Sequence, residues 1–496
     1  MARSVPSFYF LLWSLLLPVT ASAQQDPGVS FFNYGAFGTV TMYAPSQLPR
    51  SVVLFLSGDG GWQNHVLNMA RALREAGALV AGVSLPRYLK NVKDGKCFYP
   101  AGDFEELSKQ VQQRAHLPAY QIPILAGYSS GATVVYAMLA QAPAGTFAGG
   151  ISLGFCPDLE GTKEPCKGNG LHCFPITKPA AGWMLEPDET LAVPWYLLQG
   201  ETDKCCDFGT ARTFAEKIPA AHLFAVPATG HGFAVDRNWM PHLKEAFLKI
   251  ASAQNPVVPA VGNQEETCGS QASVRTGLPP VPANLSDLPL TFTSAGVGTV
   301  HDAAAVFISG DGGWKDFDQH ICDGLASAGM PVAGLNALKY FWTARTPEGA
   351  SQDLNRILES CEHEWNKQKI VLIGYSFGAD VMPFLFNRLS DDQKKRIKEI
   401  VLLSPGEKAD FEFHVSSWLS QNSDKAKPLA PELEKMYNYR LMFLFGSDEN
   451  TSWLKPLTKG IFQITTLEGG HHYGGNTEAI SHIILDYLKA QPGSRT

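Results

Sequence analysis

The chain lacks the features that mark several protein classes. It has no block of like charge, and its 40 Lys and Arg against 47 Asp and Glu give a net charge of −7. This mild acidity argues against a nucleic-acid partner, since such partners bind basic surfaces. Beyond the N-terminus no stretch approaches the length of a membrane span, and no paired Cys-x-x-Cys spacing supports the alternative of a zinc site. We therefore expect a globular protein without metal or cofactor.

The N-terminus has the pattern of a cleaved signal peptide. Arg3 supplies the positive charge, "FYFLLWSLLLPV" the apolar run, and "ASA" ending at Ala23 the small-residue cleavage site. The alternative, a membrane anchor, is disfavoured because the run is short and polar "QQDP" follows it. Residues 1–23 are therefore predicted to be removed, leaving a soluble protein outside the cytoplasm.

Nine cysteines in an exported chain predict disulfides. The odd number leaves at least one thiol free or paired between chains, and the spacing does not fix the connectivity. Cys322 and Cys361 are the only cysteines of the second half, so we expect them to pair. The others are Cys97, Cys156, Cys166, Cys173, Cys205, Cys206 and, between the halves, Cys268.

The same order of strands and helices occurs twice along the chain. "SGDGGW" begins at Ser57 and again at Ser309, each time after a short apolar run and before an amphipathic helical pattern. Between the two copies, residues 251–287 have a linker composition rich in Pro, Ser and Asn. The alternation of strands and helices predicts two duplicated α/β domains, 28–250 and 288–490, each with a mostly parallel sheet flanked by helices.

Each half also contains Gly-x-Ser-x-Gly between an apolar strand and a helix, with Ser129 in "GYSSG" and Ser376 in "GYSFG". This is the nucleophile elbow of α/β-hydrolases, in which a sharp turn strains the serine and leaves no room for bulky neighbours. The helix that follows directs backbone N–H groups at developing negative charge. The alternative, a tight turn with an inert serine, is weakened because the pattern occurs twice in the same context.

In this fold an acid and a histidine follow the serine in chain order. Asp203 and Asp448 stand just past late apolar runs, which makes them the candidate acids. "ATGHGF" offers His231, and "EGGHHYGG" offers two histidines of which the first, His471, aligns with His231 on the preceding glycine. We therefore take His471 as the base and His472 as its neighbour.

The repeated hexapeptide lies where this fold places the second donor of its oxyanion hole. Glycines leave backbone N–H groups unshielded, so a substrate oxygen can approach them closely. The alternative is a glycine-rich turn whose tryptophan packs in the core. The candidate oxyanion and substrate-loop residues are Asp59, Gly60 and Ser130 in the first half and Asp311, Gly312 and Phe377 in the second.

At "SGDGGW", "GYSFGAD" and "GGHHYGG" the chain resembles the VirJ/AcvB family of bacterial periplasmic proteins. The resemblance implies an α/β-hydrolase fold and hydrolysis of aminoacyl-phosphatidylglycerol, with Ser376 as nucleophile, Asp448 as acid and His471 as base. It also implies an aminoacylated phospholipid at the membrane surface as partner, an effect on membrane lipid charge that is linked to virulence, and periplasmic protein partners. The first half departs from the family pattern at "GYSSGAT" and "TGHGF". Ser129, Asp203 and His231 still fill the three roles there, and we take them as a second candidate triad.

Other functions remain open on the sequence alone. A general esterase or peptidase of the same fold would use the same triad. A periplasmic adaptor that kept the fold and lost the chemistry should show broken triads, whereas both halves fill all three positions. The leading hypothesis is therefore a periplasmic serine ester hydrolase.

Overall fold

A computed structural model of the chain describes residues 26–63, 65–92, 97–161, 163–178, 181–254, 282–296, 302–413, 426–455, 457 and 461–489. The predicted signal peptide, most of the predicted linker and Cys268 lie outside these residues. No helix within the described ranges is long and apolar enough to cross a membrane.

The strands of the first half form a large sheet and a small one. They are β1 Val29–Tyr34, β2 Gly38–Tyr43, β3 Ser51–Leu56, β4 Ala78–Val83, β5 Ile124–Tyr128, β6 Gly149–Leu153, β7 Asp158–Glu160, β8 Cys173–Ile176, β9 Gly182–Leu185, β10 Trp195–Gly200 and β11 Ala221–Val226. The strands of the second half are β12 Leu290–Thr293, β13 Ala303–Ile308, β14 Val332–Leu335, β15 Lys369–Tyr375, β16 Ile397–Leu403, β17 Lys408–Ala409, β18 Lys427–Pro428, β19 Arg440–Gly446 and β20 Ile461–Leu467.

Helices connect successive strands in both halves. Those of the first half are α1 His65–Glu75, α2 Leu85–Asn91, α3 Pro100–Arg114, α4 Ser130–Gln141, α5 Phe208–Ala215 and α6 Asp236–Gln254. Those of the second half are α7 Asp316–Ser327, α8 Ala337–Tyr340, α9 Pro347–Trp365, α10 Phe377–Asn387, α11 Asp391–Arg396, α12 Ala430–Glu434 and α13 Thr477–Lys489.

The two large sheets have matching strand orders. The first runs β1-β2-β4-β3-β5-β6-β10-β11, and the second runs β12-β14-β13-β15-β16-β19-β20. In the first sheet β1 is antiparallel to β2 and β2 to β4, and in the second β12 is antiparallel to β14, while the other neighbours in each sheet are parallel. The predicted fold class, two mostly parallel sheets flanked by helices, is confirmed.

The central strands are buried on both faces, as parallel strands covered by helices require. Because successive side chains of a strand point to opposite faces, Val52, Leu54 and Leu56 of β3 join one apolar cluster and Val53 and Phe55 join the other. Strand β13 divides its residues between two clusters in the same way. Each half therefore has its own two-layered core, one layer on each side of its sheet.

Packed structure extends slightly into the predicted linker from both sides. Helix α6 continues to Gln254. On the other side, a 3-10 turn at Ala283–Leu285 precedes β12, and Leu285 is buried in the core of the second half. Arg356 fixes this segment, since its guanidinium donates hydrogen bonds to both carboxylate oxygens of Asp287 and to the carbonyl of Asn284.

The cysteines pair differently from our expectation for the second half. Disulfides join Cys97 to Cys166 and Cys156 to Cys206, whereas Cys322 and Cys361 are free and buried. The predicted Cys322–Cys361 bond is wrong because the two thiols belong to core clusters on opposite faces of the second sheet. Among the described residues both disulfides lie in the first half, and such bonds are typical of exported proteins in oxidising compartments.

The two halves contact each other through a small apolar cluster and several hydrogen bonds. Tyr120 of the first half packs against Trp342 of the second, with ring centroids 5.2 Å apart. The Trp342 indole donates to the carbonyl of Leu117 at 2.9 Å, and the Gln113 amide donates to the carbonyl of Phe413 at 2.7 Å. These contacts bring the first half against the region around the second candidate site.

Candidate active sites

Both predicted nucleophiles sit at a strained turn between a strand and a helix. Ser129 lies between β5 and α4 with φ 56°, and Ser376 lies between β15 and α10 with φ 51°. Positive φ is costly for a residue other than glycine and is found at functional turns. A side chain at Gly131 would press on the carbonyl oxygen of Ser57 at 2.5 Å, and Gly378 is crowded in the same way. The Gly-x-Ser-x-Gly pattern therefore has the steric origin expected of a nucleophile elbow.

In the first half the three predicted residues meet. Ser129 Oγ lies 2.8 Å from His231 Nε2, and His231 Nδ1 lies 2.9 Å from Asp203 Oδ2. The other carboxylate oxygen of Asp203 accepts hydrogen bonds from the backbone N–H groups of Cys205 and Cys206, both at 2.9 Å. The Asp203 side chain is fully buried. This is the hydrogen-bond chain of a serine, a base and an orienting acid.

In the second half the same chain forms with a different acid. Ser376 Oγ lies 2.8 Å from His471 Nε2, and His471 Nδ1 lies 2.7 Å from Glu449 Oε1. The predicted acid, Asp448, does not occupy this position: its Oδ1 accepts a hydrogen bond from the Ser447 hydroxyl at 3.1 Å. The structure brings Ser376 and His471 together as predicted and places Glu449 where Asp448 was expected.

The strand ends explain this correction. Strand β10 ends at Gly200 and β19 ends at Gly446, so Asp203 and Glu449 are each the third residue after the strand-final glycine. Asp448 is only the second residue after Gly446, so matching aspartate with aspartate shifts the register by one position. Counting from the glycine that ends each strand is the signal that would have found Glu449.

Glu449 is held by groups that have no counterpart around Asp203. Its Oε2 accepts hydrogen bonds from the Ser404 hydroxyl at 2.6 Å and from the Gly446 N–H at 2.7 Å. Burial alone would raise the pKa of Glu449, but the hydrogen bonds from His471, Ser404 and Gly446 hold it below its usual value. The carboxylate therefore stays charged next to the histidine, as an orienting acid requires.

The repeated hexapeptide has the same structural roles in both halves. The Ser57 hydroxyl accepts a hydrogen bond from the Leu85 N–H at the start of α2, and the Ser309 hydroxyl accepts one from the Ala337 N–H at the start of α8. Each serine therefore ties the loop to the helix that follows the next strand. The tryptophans cover glycines of the neighbouring strands, where any side chain would overlap the indole. The tryptophan therefore packs against the sheet, as the alternative interpretation expected, and the loop also lies beside the nucleophile.

The loop glycines lie directly beside the nucleophiles. A Cβ on Gly58 would be 2.9 Å from the Cβ of Ser129, and one on Gly310 would be 3.4 Å from the Cβ of Ser376. The predicted oxyanion-loop residues diverge between the halves. In the first, the Ser130 hydroxyl donates to Asp59 at 2.8 Å and the carbonyl of Gly60 accepts from Gln63. In the second, Phe377 replaces the serine and packs on Phe341 with ring centroids 5.0 Å apart.

His472 supports the second site without joining the serine. Its Nδ1 lies 2.6 Å from the hydroxyl of Tyr375, which stands immediately before the nucleophile. Burial and the adjacent His471 lower the pKa of His472, which favours the neutral ring as an acceptor for the tyrosine. The Tyr375 hydroxyl also lies 3.3 Å from the carbonyl of His471, as the Tyr128 hydroxyl lies 2.9 Å from the carbonyl of His231 in the first half. The assignment of His471 rather than His472 to the serine agrees with this geometry.

One further set of side chains could bind a metal ion. The ligand atoms of Asp203, Cys205 and His231 lie within 4.8 Å of one another. Two of these residues are already hydrogen-bonded to each other in the chain that leads to Ser129. The arrangement is explained by the triad geometry without a metal.

The second site opens into a cavity of about 1100 Å³ between the two halves. Ser376, Phe377, Asp311, Gly312 and His471 all line it. The His471 side chain is 43% exposed against 21% for His231, so the second site is the more accessible of the two. The residues that the sequence predicted for this site, apart from Asp448, thus meet at one cavity.

The family described as bacterial virulence protein (VirJ) matches residues 50–148 and 302–492, more than half of the chain. The chain belongs to the VirJ family. The two matched segments contain both hexapeptides, both elbows, Glu449 and His471. A search of curated proteins finds no match.

Solved structures of esterases are similar to about half of this chain. The esterase domain of a Rhodothermus marinus protein has 13% identity and a TM-score of 0.32, and the match covers 45% of this chain and 98% of that one. Thermogutta terrifontis esterase 2, phosphorylated by paraoxon, has 15% identity and a TM-score of 0.32, with 47% and 97% covered. An α/β serine hydrolase without a lid from Xanthomonas campestris has 20% identity and a TM-score of 0.30, with 47% and 96% covered. Identities and scores this low carry no information on substrate.

Three residues at the second site, besides Glu449, were not predicted from the sequence. They are Ser404, which holds Glu449; Asp380, whose carboxylate accepts the Gly406 N–H at 2.6 Å beside the cavity; and Tyr375, which contacts His472. Tyr375 was detectable, because a tyrosine precedes the serine in both elbows. Ser404 follows β16 at a place where the first half has Gly154, so comparison of the halves gave no signal for it.

Proposed function

We propose that this protein is a periplasmic serine ester hydrolase that removes the amino acid from aminoacyl-phosphatidylglycerol, the lysyl or alanyl form. The observation that carries the proposal is the continuous hydrogen-bond chain from Ser376 through His471 to Glu449 at the edge of the cavity between the halves. Membership of the VirJ family and the two disulfides support a bacterial protein exported to an oxidising compartment.

The chemistry follows from this chain. Ser376 Oγ attacks the carbonyl carbon of the aminoacyl ester while His471 Nε2 takes its proton, and Glu449 stabilises the imidazolium that results. The negative oxygen of the tetrahedral intermediate is stabilised by backbone N–H groups near Asp311, Gly312 and Phe377. Collapse of the intermediate expels the lipid alkoxide, which receives the proton from His471 and leaves as phosphatidylglycerol. Water, activated by His471, then attacks the aminoacyl-serine and releases the free amino acid.

The charge of the cavity suits an aminoacyl group. Carboxylates outnumber lysines on its wall, and Asp311, Asp316, Asp380 and Asp410 are among them. Burial and, secondarily, Asp311 raise the pKa of Asp380 well above its usual value, whereas the Gly406 N–H opposes this. A substrate ammonium group next to Asp380 would favour the charged carboxylate and gain attraction from it. In the first half the same position is Thr133, whose hydroxyl donates to a backbone carbonyl.

The test is release of lysine or alanine from phosphatidylglycerol vesicles that contain the aminoacylated lipid. The purified mature protein should release the amino acid. Ser376→Ala should reduce the rate by about 10⁴-fold or more, because water must then attack the ester directly, without an acyl-enzyme intermediate. Folding of the variant is checked by circular dichroism. Absence of release by the wild type, together with hydrolysis of simple esters, would favour a general esterase. Absence of both activities would favour the adaptor.

A further inference from the structure

The cavity in front of Ser376 has two walls of different chemistry. The second half contributes the nucleophile, the histidines and most of the carboxylates. The first half contributes a largely apolar wall, formed by the end of α4, the loop that follows it and the segment before β10. Its apolar residues include Ala142 and Val193, which are half-buried, and Leu139, Ala140, Phe147 and Leu191, which belong to the core of the first half.

The cavity is larger than the aminoacyl group requires. Pockets that enclose drug-sized ligands commonly measure about 300–1000 Å³, and this one measures about 1100 Å³. An amino acid bound near Ser376 and the carboxylates would leave the half-buried wall side chains, Ala142 and Val193, uncovered. Because apolar surface facing water is unfavourable, such a wall favours a ligand with a hydrocarbon part.

Specific contacts hold the apolar wall in position relative to the serine. Lys315, which directly follows the second hexapeptide, places its Nζ 3.0 Å from Glu105 Oε1 and donates to Thr146 Oγ1 at 2.9 Å. The next residue, Asp316, accepts a hydrogen bond from the Ala144 N–H at 3.1 Å. Ala144 and Thr146 belong to the same loop as part of the apolar wall. The residues that follow the hexapeptide beside the nucleophile are therefore joined to the first half by an ion pair and hydrogen bonds.

We propose that the first half supplies a hydrocarbon-chain subsite for the Ser376 site, formed by the apolar residues named above. The inference rests on the proposed ester hydrolysis and assigns a role to the first half in it. The carboxylates attract the amino end of the substrate, so the alcohol part of the ester extends away from them. Its alkyl or acyl chain then lies on the wall that the first half provides.

The test uses two monomeric esters of alanine that differ only in the alcohol, the methyl ester and the octyl ester. The parent protein is Ser129→Ala, so that hydrolysis comes from Ser376 alone. Each methylene that becomes buried favours binding about fourfold, so we expect kcat/KM for the octyl ester to exceed that for the methyl ester at least tenfold. Two substitutions at half-buried wall positions, Val193→Asp and Ala142→Trp, then test the wall.

Each wall variant should lower kcat/KM for the octyl ester at least fivefold and leave the methyl ester within twofold. Leu48→Asp is the matched control, because Leu48 is a 69% exposed apolar residue of the first half outside the cavity lining. It should change neither ester. The subsite is rejected if the parent shows no octyl preference, or if both wall variants keep it.

Failure of the proposed hydrolysis gives a different result, in which the parent cleaves neither ester. The subsite is then tested by the fluorescence of N-phenyl-1-naphthylamine, an apolar probe that becomes bright when bound. Binding by the parent that Val193→Asp and Ala142→Trp weaken at least fivefold supports the subsite. Absence of binding, or equal binding by all the variants, overturns it.

Discussion

In the first half, Asp203 is held by the N–H groups of Cys205 and Cys206, and Cys206 is bonded to Cys156. In the second half, Glu449 is held by the Ser404 hydroxyl and by the N–H of the glycine that ends its strand. Both arrangements place a carboxylate oxygen within 2.9 Å of the histidine Nδ1. The fold therefore fixes the position of the acid, whereas the residue type and the groups that donate hydrogen bonds to it differ between the halves.

The sites also differ in their surroundings. Ser376 lines the cavity between the halves, and next to it Asp380 stands where the first half has Thr133. Next to Ser129, the Ser130 hydroxyl engages Asp59 in the loop expected to bind the oxyanion. The second site therefore combines an accessible nucleophile with a binding cavity, which makes it our choice for the principal activity.

The largest expected effect separates the two serines. Ser376→Ala should abolish ester hydrolysis, a loss of about 10⁴-fold or more, while Ser129→Ala should keep a substantial part of it. The assay is amino acid release from aminoacyl-phosphatidylglycerol vesicles, with both variants at equal concentration. If Ser129→Ala proves inactive and Ser376→Ala active, the assignment is reversed. Full activity in both single variants would mean that the sites are redundant.

The acid of the second site gives the next largest effect. Glu449→Gln removes the charge that stabilises the imidazolium and should lower kcat by about 10³- to 10⁴-fold. Asp448→Asn is the matched control, because its carboxylate contacts the neighbouring Ser447 hydroxyl. It should stay within about threefold, since surface changes of this kind have small effects. A large loss in Asp448→Asn with an active Glu449→Gln would restore the acid predicted from the sequence.

The sequence was sufficient for the fold and for most of each site because the deciding features are local. Short buried strands, the two elbows and the glycine before each histidine all appear as patterns of adjacent residues. What escaped depends on contacts between distant parts of the chain. Ser404 reaches Glu449 from another strand, Cys322 and Cys361 are separated by a sheet, and the apolar wall faces Ser376 only because the halves pack together.

A smaller effect should distinguish the supports of the two acids. Cys156→Ala/Cys206→Ala removes the disulfide behind Asp203, and we expect about a fivefold slower labelling of Ser129 by a fluorophosphonate, equivalent to about 1 kcal/mol. Labelling of Ser376 should not change, because the supports of Glu449 contain no cysteine. Each serine is followed by itself in the background of the other serine changed to alanine. Equal slowing at both sites would indicate a general loss of structure instead.

The last prediction concerns stability rather than activity, and a buried carboxyl at a position where the first half has an apolar side chain. Counted from the tryptophan of the hexapeptide, Asp318 corresponds to Val66, and both are buried. Burial raises the pKa of Asp318 to about 7, although the Lys315 N–H and charge oppose the shift. Folding with a raised acid pKa favours the protonated form, so the stability present at pH 4 is lost as the pH rises towards 7.

Asp318→Asn should remove this pH dependence. The amide oxygen can still accept the Lys315 N–H that now bonds to Asp318 Oδ2 at 2.9 Å, and an amide does not ionise in this range. We expect the variant to be more stable than the wild type by up to about 4 kcal/mol at pH 7.5 and nearly equal to it at pH 4, since one pKa unit corresponds to about 1.4 kcal/mol. Urea unfolding at the two pH values measures the difference, with Asp323→Asn, an exposed change on the same helix, as control. Parallel losses of stability in wild type and Asp318→Asn would show that the pH dependence arises elsewhere, and the contrast with Val66 would then have no energetic consequence.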